Sequence, residues 1–449
     1  MKNILSLNFL IILLASNAWA MARKPAEGPM GSPENSISRP VLLDLWDCYK
    51  LALARSETLD IIREEIKRTL ANFLGATWES IGDLDFVMTH SRQKSQDGQA
   101  SGGGSVGGTF TASSRRENKF VFAQPIFQGF KAVGALSGAG SLRKQRFEEW
   151  QRAKQLLFLE VVEAFYDLLR QHQDVEIIKS ISSLFDERIE ELAKREDIGR
   201  SRPSEVATAR SRYEIFQAEL ARTRGNLALV ENLMEFILGI PVDREHLKED
   251  AVPQTVLGEE LDIETGISKR PDVEATDQAV KTARGGMVIT QSDLWPHLTL
   301  DSNFYEKREG FQAGIDWDLL FTFKVPLGKG GETVAQIRDA VSDWKEAKLE
   351  YSRVKRTAER EIKDAYESWK SALERYQALE KAVKAAQENF DFQKEDYDHN
   401  LVSNLDVLEA LQILFETRRD ANEALYDMKK SYWQLEVAKG NCCRELKNQ

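Results

Sequence analysis

Cysteine is scarce in this sequence: three residues in 449, Cys48, Cys442 and Cys443. That is too few for a disulfide scaffold, and leaves room for one bridge between the two ends of the chain in an oxidising compartment. Glycine and proline are missing altogether from Ser141 to Ile198 and from Glu332 to Lys439, so neither stretch carries a helix breaker. Beyond Ala20 no apolar run approaches the roughly 20 residues that a membrane-spanning helix needs. Entry into a bilayer would therefore have to be by β-strands. Positive charge is also in deficit, with 61 Lys and Arg against 72 Asp and Glu, for a net charge of -11. Phosphate contacts need clustered Lys and Arg, so nucleic-acid binding is not expected, and acidic substrates are disfavoured. The histidines, His90, His172, His246, His297 and His399, lie in separate segments with no HExxH, GxSxG or cysteine-based metal spacing. No enzymatic activity, cofactor or metal is expected.

The chain opens Met1-Lys2-Asn3, followed by a largely apolar stretch from Ile4 to Ala15 and by Ala18-Trp19-Ala20, the A-x-A form of a signal-peptidase site. Residues 1–20 are read as an export signal cleaved after Ala20. A membrane helix is the alternative, but the apolar core is short and Arg23 to Pro40 is polar and proline-rich. Residues 21–40 are read as a flexible segment. The first cysteine, Cys48, is too far from the apolar run to carry a lipid anchor.

Sliding the sequence on itself by 201 positions places Pro125 on Pro326, Val206 on Val407, Gly239 on Gly440, Phe120 on Phe321 and Phe122 on Phe323. Upstream the offset is 214, since Leu59 in SETLD matches Val273 in RPDVE. The first half thus holds 214 − 201 = 13 extra residues, assigned to Asp97–Gly108, whose glycines suit a surface loop. A phosphate-cradling loop would need a following GK[ST], which is absent. The division expected is a first repeat over 41–240, a linker over 241–260, a second repeat over 261–440 and a tail over 441–449.

Each repeat reads as a helix, two strands and two very long helices. In the second repeat Ile337, Val341, Trp344, Tyr351, Val354, Ala358, Ile362, Ala365, Trp369, Ala372, Tyr376, Leu379, Val383, Ala386 and Phe390 recur in steps that mostly alternate 3 and 4, the heptad pattern of coiled-coil packing. A helix from Glu332 to Tyr397 would be on the order of 100 Å long. The strands alternate with period two: Leu298, Leu300 and Phe304 in His297–Tyr305, and Phe311 through Trp317 to Phe323 in Phe311–Val325. One face is apolar and includes a tryptophan, as in transmembrane barrels; a half-buried sheet on a soluble core is the other reading. In the first half Leu84, Phe86 and Met88 alternate well, but Ser114, Arg116 and Asn118 fall where the second half has Ile315, Trp317 and Leu319. The embedded part of that strand is therefore confined to Lys119–Gln124, or its register is shifted.

Four strands cannot close a barrel, and an open edge in lipid leaves backbone groups unpaired. Pooling between three copies would supply 4 × 3 = 12 strands. The tandem repeat, RPDVEATDQAV followed by WPHLTL, FKVPLGKGG, and YDHNLVSNLDVLEALQ at a helix turn resemble the TolC family of outer-membrane efflux proteins from about Val41 to Gly440. The resemblance implies a mainly α fold with a small β-barrel. Tandem-repeat helical hairpins would form an α-barrel in the periplasm, and a homotrimer would share a 12-stranded barrel in outer-membrane lipid. It also implies passive transport for a periplasmic adaptor and an inner-membrane transporter, in efflux or type I secretion. A periplasmic coiled-coil adaptor or scaffold is the competing reading; it shares the helices and has no need of the strands.

On the family reading, Ile198–Glu205 and Asn400–Asp406 are the turns at the far periplasmic tip, with Ser403 or Asn404 capping the second. Asp406 and Glu409 match acidic positions that line the closed entrance, where threefold symmetry would gather carboxylates into a ring. They would serve equally as favourable charges in a helix's first turn. Arg200 and Arg202, with Glu205, lie in the facing turn, where the arginines could hold such a gate shut. Leu401 and Val402, with Gly199 at the equivalent turn, are the expected adaptor contact.

Overall fold

The computed structural model describes residues 42–79, 81–92, 114–242, 247–249, 252, 262–309, 313–327 and 331–441, which from Leu43 onward form one unit. The export signal, the 21–40 segment, Asp97–Gly108, Cys442, Cys443 and most of the 241–260 linker lie outside the described residues, so of the three cysteines only Cys48 is in view, buried in the first helix.

The elements run α1 (Leu45–Arg55), α2 (Glu57–Glu79), β1 (Asp83–Arg92), β2 (Ser114–Gln128), α3 (Lys131–Asp197), α4 (Pro203–Leu238), α5 (Ile263–Lys269), α6 (Pro271–Ser292), β3 (His297–Arg308), β4 (Trp317–Lys324), α7 (Glu332–Asp398) and α8 (Asn404–Ala438). Their starts carry both offsets: 271 − 57 and 297 − 83 are 214, while 332 − 131 and 404 − 203 are 201. The change falls between the start of β1 and the start of α3, which brackets the glycine-rich stretch.

Helix α7 follows the heptad reading closely. Every apolar position named for it is buried or half-buried, and those from Ala358 onward include the fully buried Ile362, Trp369 and Phe390. Helix α3 departs from the sequence reading. It starts at Lys131, 141 − 131 = 10 residues before the glycine-free run, because Gly134 and Gly138 allow α3 to cross α6 at Gly285. A Cβ on Gly285 would lie 2.7 Å from Gly138 Cα and 2.8 Å from Gly134 O. Close backbone packing thus overrides the weak helix propensity of glycine.

The sheet is antiparallel in the order β1-β2-β3-β4. The fourth strand is shorter than the expected Phe311–Val325: pairing with β3 ends at Phe304–Trp317, and Ala313–Gly314 form a turn. The third strand is longer than expected, since β2 continues alongside it to Glu117–Arg308.

Two cores stabilise the long helices. Around α1, aromatic rings of Trp46, Tyr49, Phe158 and Trp433 stack edge to face or in parallel and join Phe165, Leu168 and Leu169 of α3. Nearer the turns, Ile181, Phe185 and Leu192 of α3 meet Phe216 and Leu220 of α4, Phe390 and Tyr397 of α7, and Leu408, Leu411 and Leu414 of α8. Full burial of a Leu or Phe side chain stabilises by about 1.5–3 kcal/mol, so these seams hold the two hairpins together.

Candidate functional site

The two hairpin turns are copies of one another at the level of single hydrogen bonds. After α3, Gly199 N donates to Glu196 O and Arg200 N to Arg195 O, both at 2.8 Å; after α7, Asn400 N donates to Tyr397 O and Leu401 N to Asp396 O, both at 2.9 Å. Gly199 and Asn400 are left-handed, with φ of 73° and 56°. The 6→1 bond closed by a left-handed residue is a Schellman stop, and Asn is the side chain that best tolerates that geometry. The turns are shorter than expected from the sequence, 198–202 and 399–403, because Pro203 already occupies the first turn of α4 and Ser403 caps α8.

Of the two candidate caps, Ser403 holds the position and Asn404 is turned inward, 3% exposed. Asp406 completes a capping box: its Oδ2 accepts from Ser403 N at 2.8 Å and from Ser403 Oγ at 2.6 Å. Those hydrogen bonds hold the exposed Asp406 carboxyl below its ordinary value. Glu409, one turn along α8, is also exposed. Across the tip, Arg200 and Arg202 are exposed, and Glu205 accepts from Ser201 Oγ at 2.8 Å. No ion pair joins Arg200 or Arg202 to Asp406 or Glu409 within this chain among the described residues. Leu401 is 72% exposed, whereas Val402 is half-buried against the hairpin core, and Gly199 is exposed with open space around its Cα.

What ties the turns together is a set of residues that sequence reasoning did not single out. Arg188 of α3 is 6% exposed; its Nε donates to Asn404 Oδ1 at 2.9 Å and its guanidinium covers the Tyr397 ring. Arg195 lies 4.5 Å from the centre of that ring and pairs with Asp398 at 2.9 Å. The available signal was Arg188 itself, a charge standing in the core stripe Ile181, Phe185, Arg188, Leu192.

At the other end the sheet has two chemically distinct faces. Pairings Leu84–Phe122 and Phe86–Phe120, Phe120–Phe304, and Leu298–Phe323, Leu300–Phe321 and Phe304–Trp317 run one apolar face across all four strands. Much of it is exposed in the single chain, including Leu84, Phe86, Phe321 and Phe323. The opposite face carries Glu117, Lys119, Arg308 and Asp318, linked by ion pairs, and Asn303 and Tyr305, which donate to Asp318. The misplaced polar residues of β2 find their position here. Asn118 and Arg116 lie opposite Met88 and His90, beyond Phe120 and Phe122 along the apolar face, so they end the band and do not interrupt it.

Among the described residues no helix is long and apolar enough to cross a membrane, and no group of three or more His, Cys, Asp or Glu is arranged to hold a metal. Residues 263–441 match the family model described as outer membrane efflux protein. The matched stretch, 441 − 263 + 1 = 179 of the 449 residues, is the second repeat. The chain is 22% identical over 330 residues to the outer membrane protein TolC of Vibrio cholerae serotype O1, covering 71% of this chain and 75% of that one. To the cation efflux system protein CusC of Escherichia coli K12 it is 21% identical over 352 residues, covering 76% and 77%. The crystal structure of the outer membrane protein VceC from Vibrio cholerae superposes with a TM-score of 0.75 at 20% identity, over 88% of this chain and 96% of that one.

Proposed function

We propose that this chain is the outer-membrane conduit of a tripartite efflux or secretion system. It works as a homotrimer whose sheets pool into one 12-stranded barrel in outer-membrane lipid, while helices α3, α4, α7 and α8 form a tunnel in the periplasm. The observation that carries the reading is the sheet: four strands with one largely apolar face, two edges unpaired among the described residues, and helices of 67 residues continuing from β2 and β4. An apolar face beside open edges is stable in lipid only when the edges are closed by other copies. Transport is passive, driven by an inner-membrane transporter and reached through a periplasmic adaptor.

The tips serve as the periplasmic gate. Three copies of Asp406 and Glu409 crowd carboxylates around one axis, where they attract cations and resist passage of anions. Arg200 and Arg202 of a neighbouring copy supply the opposing charges, which have no ion pair to Asp406 or Glu409 among the described residues of the single chain, and Glu205 beside them adds to the carboxylates. Exposed Leu401, with Val402 behind it and Gly199 at the equivalent turn, is the surface offered to the adaptor.

The coiled-coil adaptor reading explains the hairpins and leaves the sheet without purpose. The decisive experiment fractionates membranes from cells expressing the full chain. Outer-membrane trimers that run compactly unheated and dissociate on boiling are the expected result; a soluble periplasmic protein would overturn the proposal.

A further inference from the structure

The chain contains an internal test of how its repeats correspond. Adding 214 to a β1 residue and 201 to its β2 partner turns Leu84–Phe122 into Leu298–Phe323, Phe86–Phe120 into Leu300–Phe321, Met88–Asn118 into Ser302–Leu319 and His90–Arg116 into Phe304–Trp317, and each of these is an observed pair of β3 and β4. One map therefore converts the first hairpin's register into the second's without a slip.

The same map can be applied to the one strand contact that joins the repeats, β2 with β3. It sends β2 onto β4, and β3 onto β1, but among the described residues of one chain β1 and β4 are the two open edges of the sheet. The counterpart of the β2–β3 contact must then lie between copies. From this correspondence we infer that β4 of one copy pairs with β1 of the next in a fixed register, Phe321 opposite His90, Phe323 opposite Met88 and Val325 opposite Phe86. These are the images of Phe120–Phe304, Phe122–Ser302 and Gln124–Leu300.

Two independent observations support this register. First, it preserves the faces: Phe323–Met88 and Val325–Phe86 extend the apolar band, while the intervening pairs Lys324–Val87 and Thr322–Thr89 stay on the other face. A slip of one residue would put Phe323 opposite Val87 or Thr89 and exchange the faces. Second, the helices joined to the edge strands, α2 before β1 and α7 after β4, are uncovered where the map requires a partner. Buried Gly134 and Gly138 of α3 correspond to exposed Ala335 and Asp339 of α7, and buried Gly285 and Ser292 of α6 correspond to exposed Ala71 and Trp78 of α2. Gly134 is kept small by Ile289; the image of that contact is Ala335 against Gly75, a mid-helix glycine with nothing within 4 Å of its Cβ position. The small residue has changed helices, and the close crossing is conserved. The interface is heterologous, one surface meeting a different one, which closes into a ring when the rotation permits.

This inference rests on the trimeric-barrel reading, and disulfide trapping separates the two. In a chain with Cys48, Cys442 and Cys443 replaced by Ala, Phe323→Cys with Met88→Cys, and separately Ala335→Cys with Gly75→Cys, are oxidised in isolated outer membranes. Cα atoms directly opposite in an antiparallel ladder are about 4.5–5.5 Å apart, within disulfide reach, and diagonal neighbours are beyond it. The expected result is that most of the chain becomes reducible covalent trimer with both pairs. Phe323→Cys with Phe86→Cys or His90→Cys should leave it largely uncrosslinked. Trimers that form but crosslink through one of the shifted pairs, or through neither predicted pair, overturn the register alone. Absence of heat-dissociable trimers in the unmutated chain overturns the conduit reading beneath it.

Discussion

The Arg188 guanidinium lies 3.7 Å from the centre of the Tyr397 ring, so a charge from α3 is held against the last turn of α7. The same group reaches Asn404, at the first turn of α8. One buried side chain therefore spans both hairpins beside the turn. Arg188→Ala would leave the Asn404 carbonyl, in a residue 3% exposed, without its donor, at a cost of about 1–3 kcal/mol. Amides in the first turns of α8 should then exchange with deuterium about 5- to 150-fold faster. Unchanged exchange there would show that Arg188 is not what fixes the turn.

If opposing charges from neighbouring copies keep the entrance closed, removing both sides should open it. Arg202→Ala combined with Asp406→Ala is expected to raise single-channel conductance in planar bilayers above either single variant. Conductance equal to the unmutated channel would remove the gating role from these residues.

The capping box makes a separate prediction about pH. Hydrogen bonds from Ser403 lower the Asp406 carboxyl relative to its ordinary 3.8. Because the folded value is depressed, its contribution is complete above the unfolded value and is lost only as pH falls through the folded one. The tip should therefore keep this charge from neutral pH to below the usual carboxylate range. Ser403→Ala removes the hydroxyl donor, so the acid midpoint of cation conductance should move upward. A midpoint that stays in place would mean that contacts between copies, not the cap, set the charge.

Much of this was legible in the sequence because two periodicities do not overlap. Breaker-free runs with steps of 3 and 4 can only be long helices, and alternation through Phe321 and Phe323 marks a two-faced strand. Where reading failed, a tertiary contact outweighed a local preference. Gly134 and Gly138 argue locally against a helix and are helical because Gly285 lies against them. Arg188 reads as a surface charge until Tyr397 and Asn404 arrive from more than 200 positions away, 397 − 188 = 209. Asp406 was placed at the right turn, but its bonds to Ser403 depend on the cap geometry, which spacing alone leaves open between Ser403 and Asn404.

Arg270, in the RPDVE segment, is 2% exposed and donates to both Asp272 oxygens and to Glu361 at 2.6 Å. Burial alone would raise the Asp272 carboxyl; the bonds from Arg270 and the nearby Arg152 outweigh it, and the net shift is downward. Arg270→Met should destabilise the fold by about 3 kcal/mol at pH 7, chiefly by leaving acids without their partner. Since Asp272 loses its charge below the ordinary carboxylate range, the gap between variant and parent should narrow on acidification below about pH 4. A gap that is constant with pH would assign the loss to packing of the arginine stem.

Adjacent glycines in α6 give the sharpest contrast. A methyl on Gly285 would sit 2.7 Å from Gly138 Cα, 2.8 Å from Gly134 O and 2.9 Å from Gly138 N, all backbone atoms that no rotamer change can move. A methyl on Gly286 meets nothing within 4 Å. Gly285→Ala must push α3 and α6 apart, at a cost of about 1–3 kcal/mol or more. Gly286→Ala adds helix propensity in open space and should be neutral or stabilising by up to about 1 kcal/mol. The temperature at which trimers dissociate in detergent should therefore rank Gly286→Ala at or above the parent, and Gly285→Ala clearly below it. If the two variants shift together, the close crossing at Gly134, Gly138 and Gly285 does not hold the helices that carry the barrel.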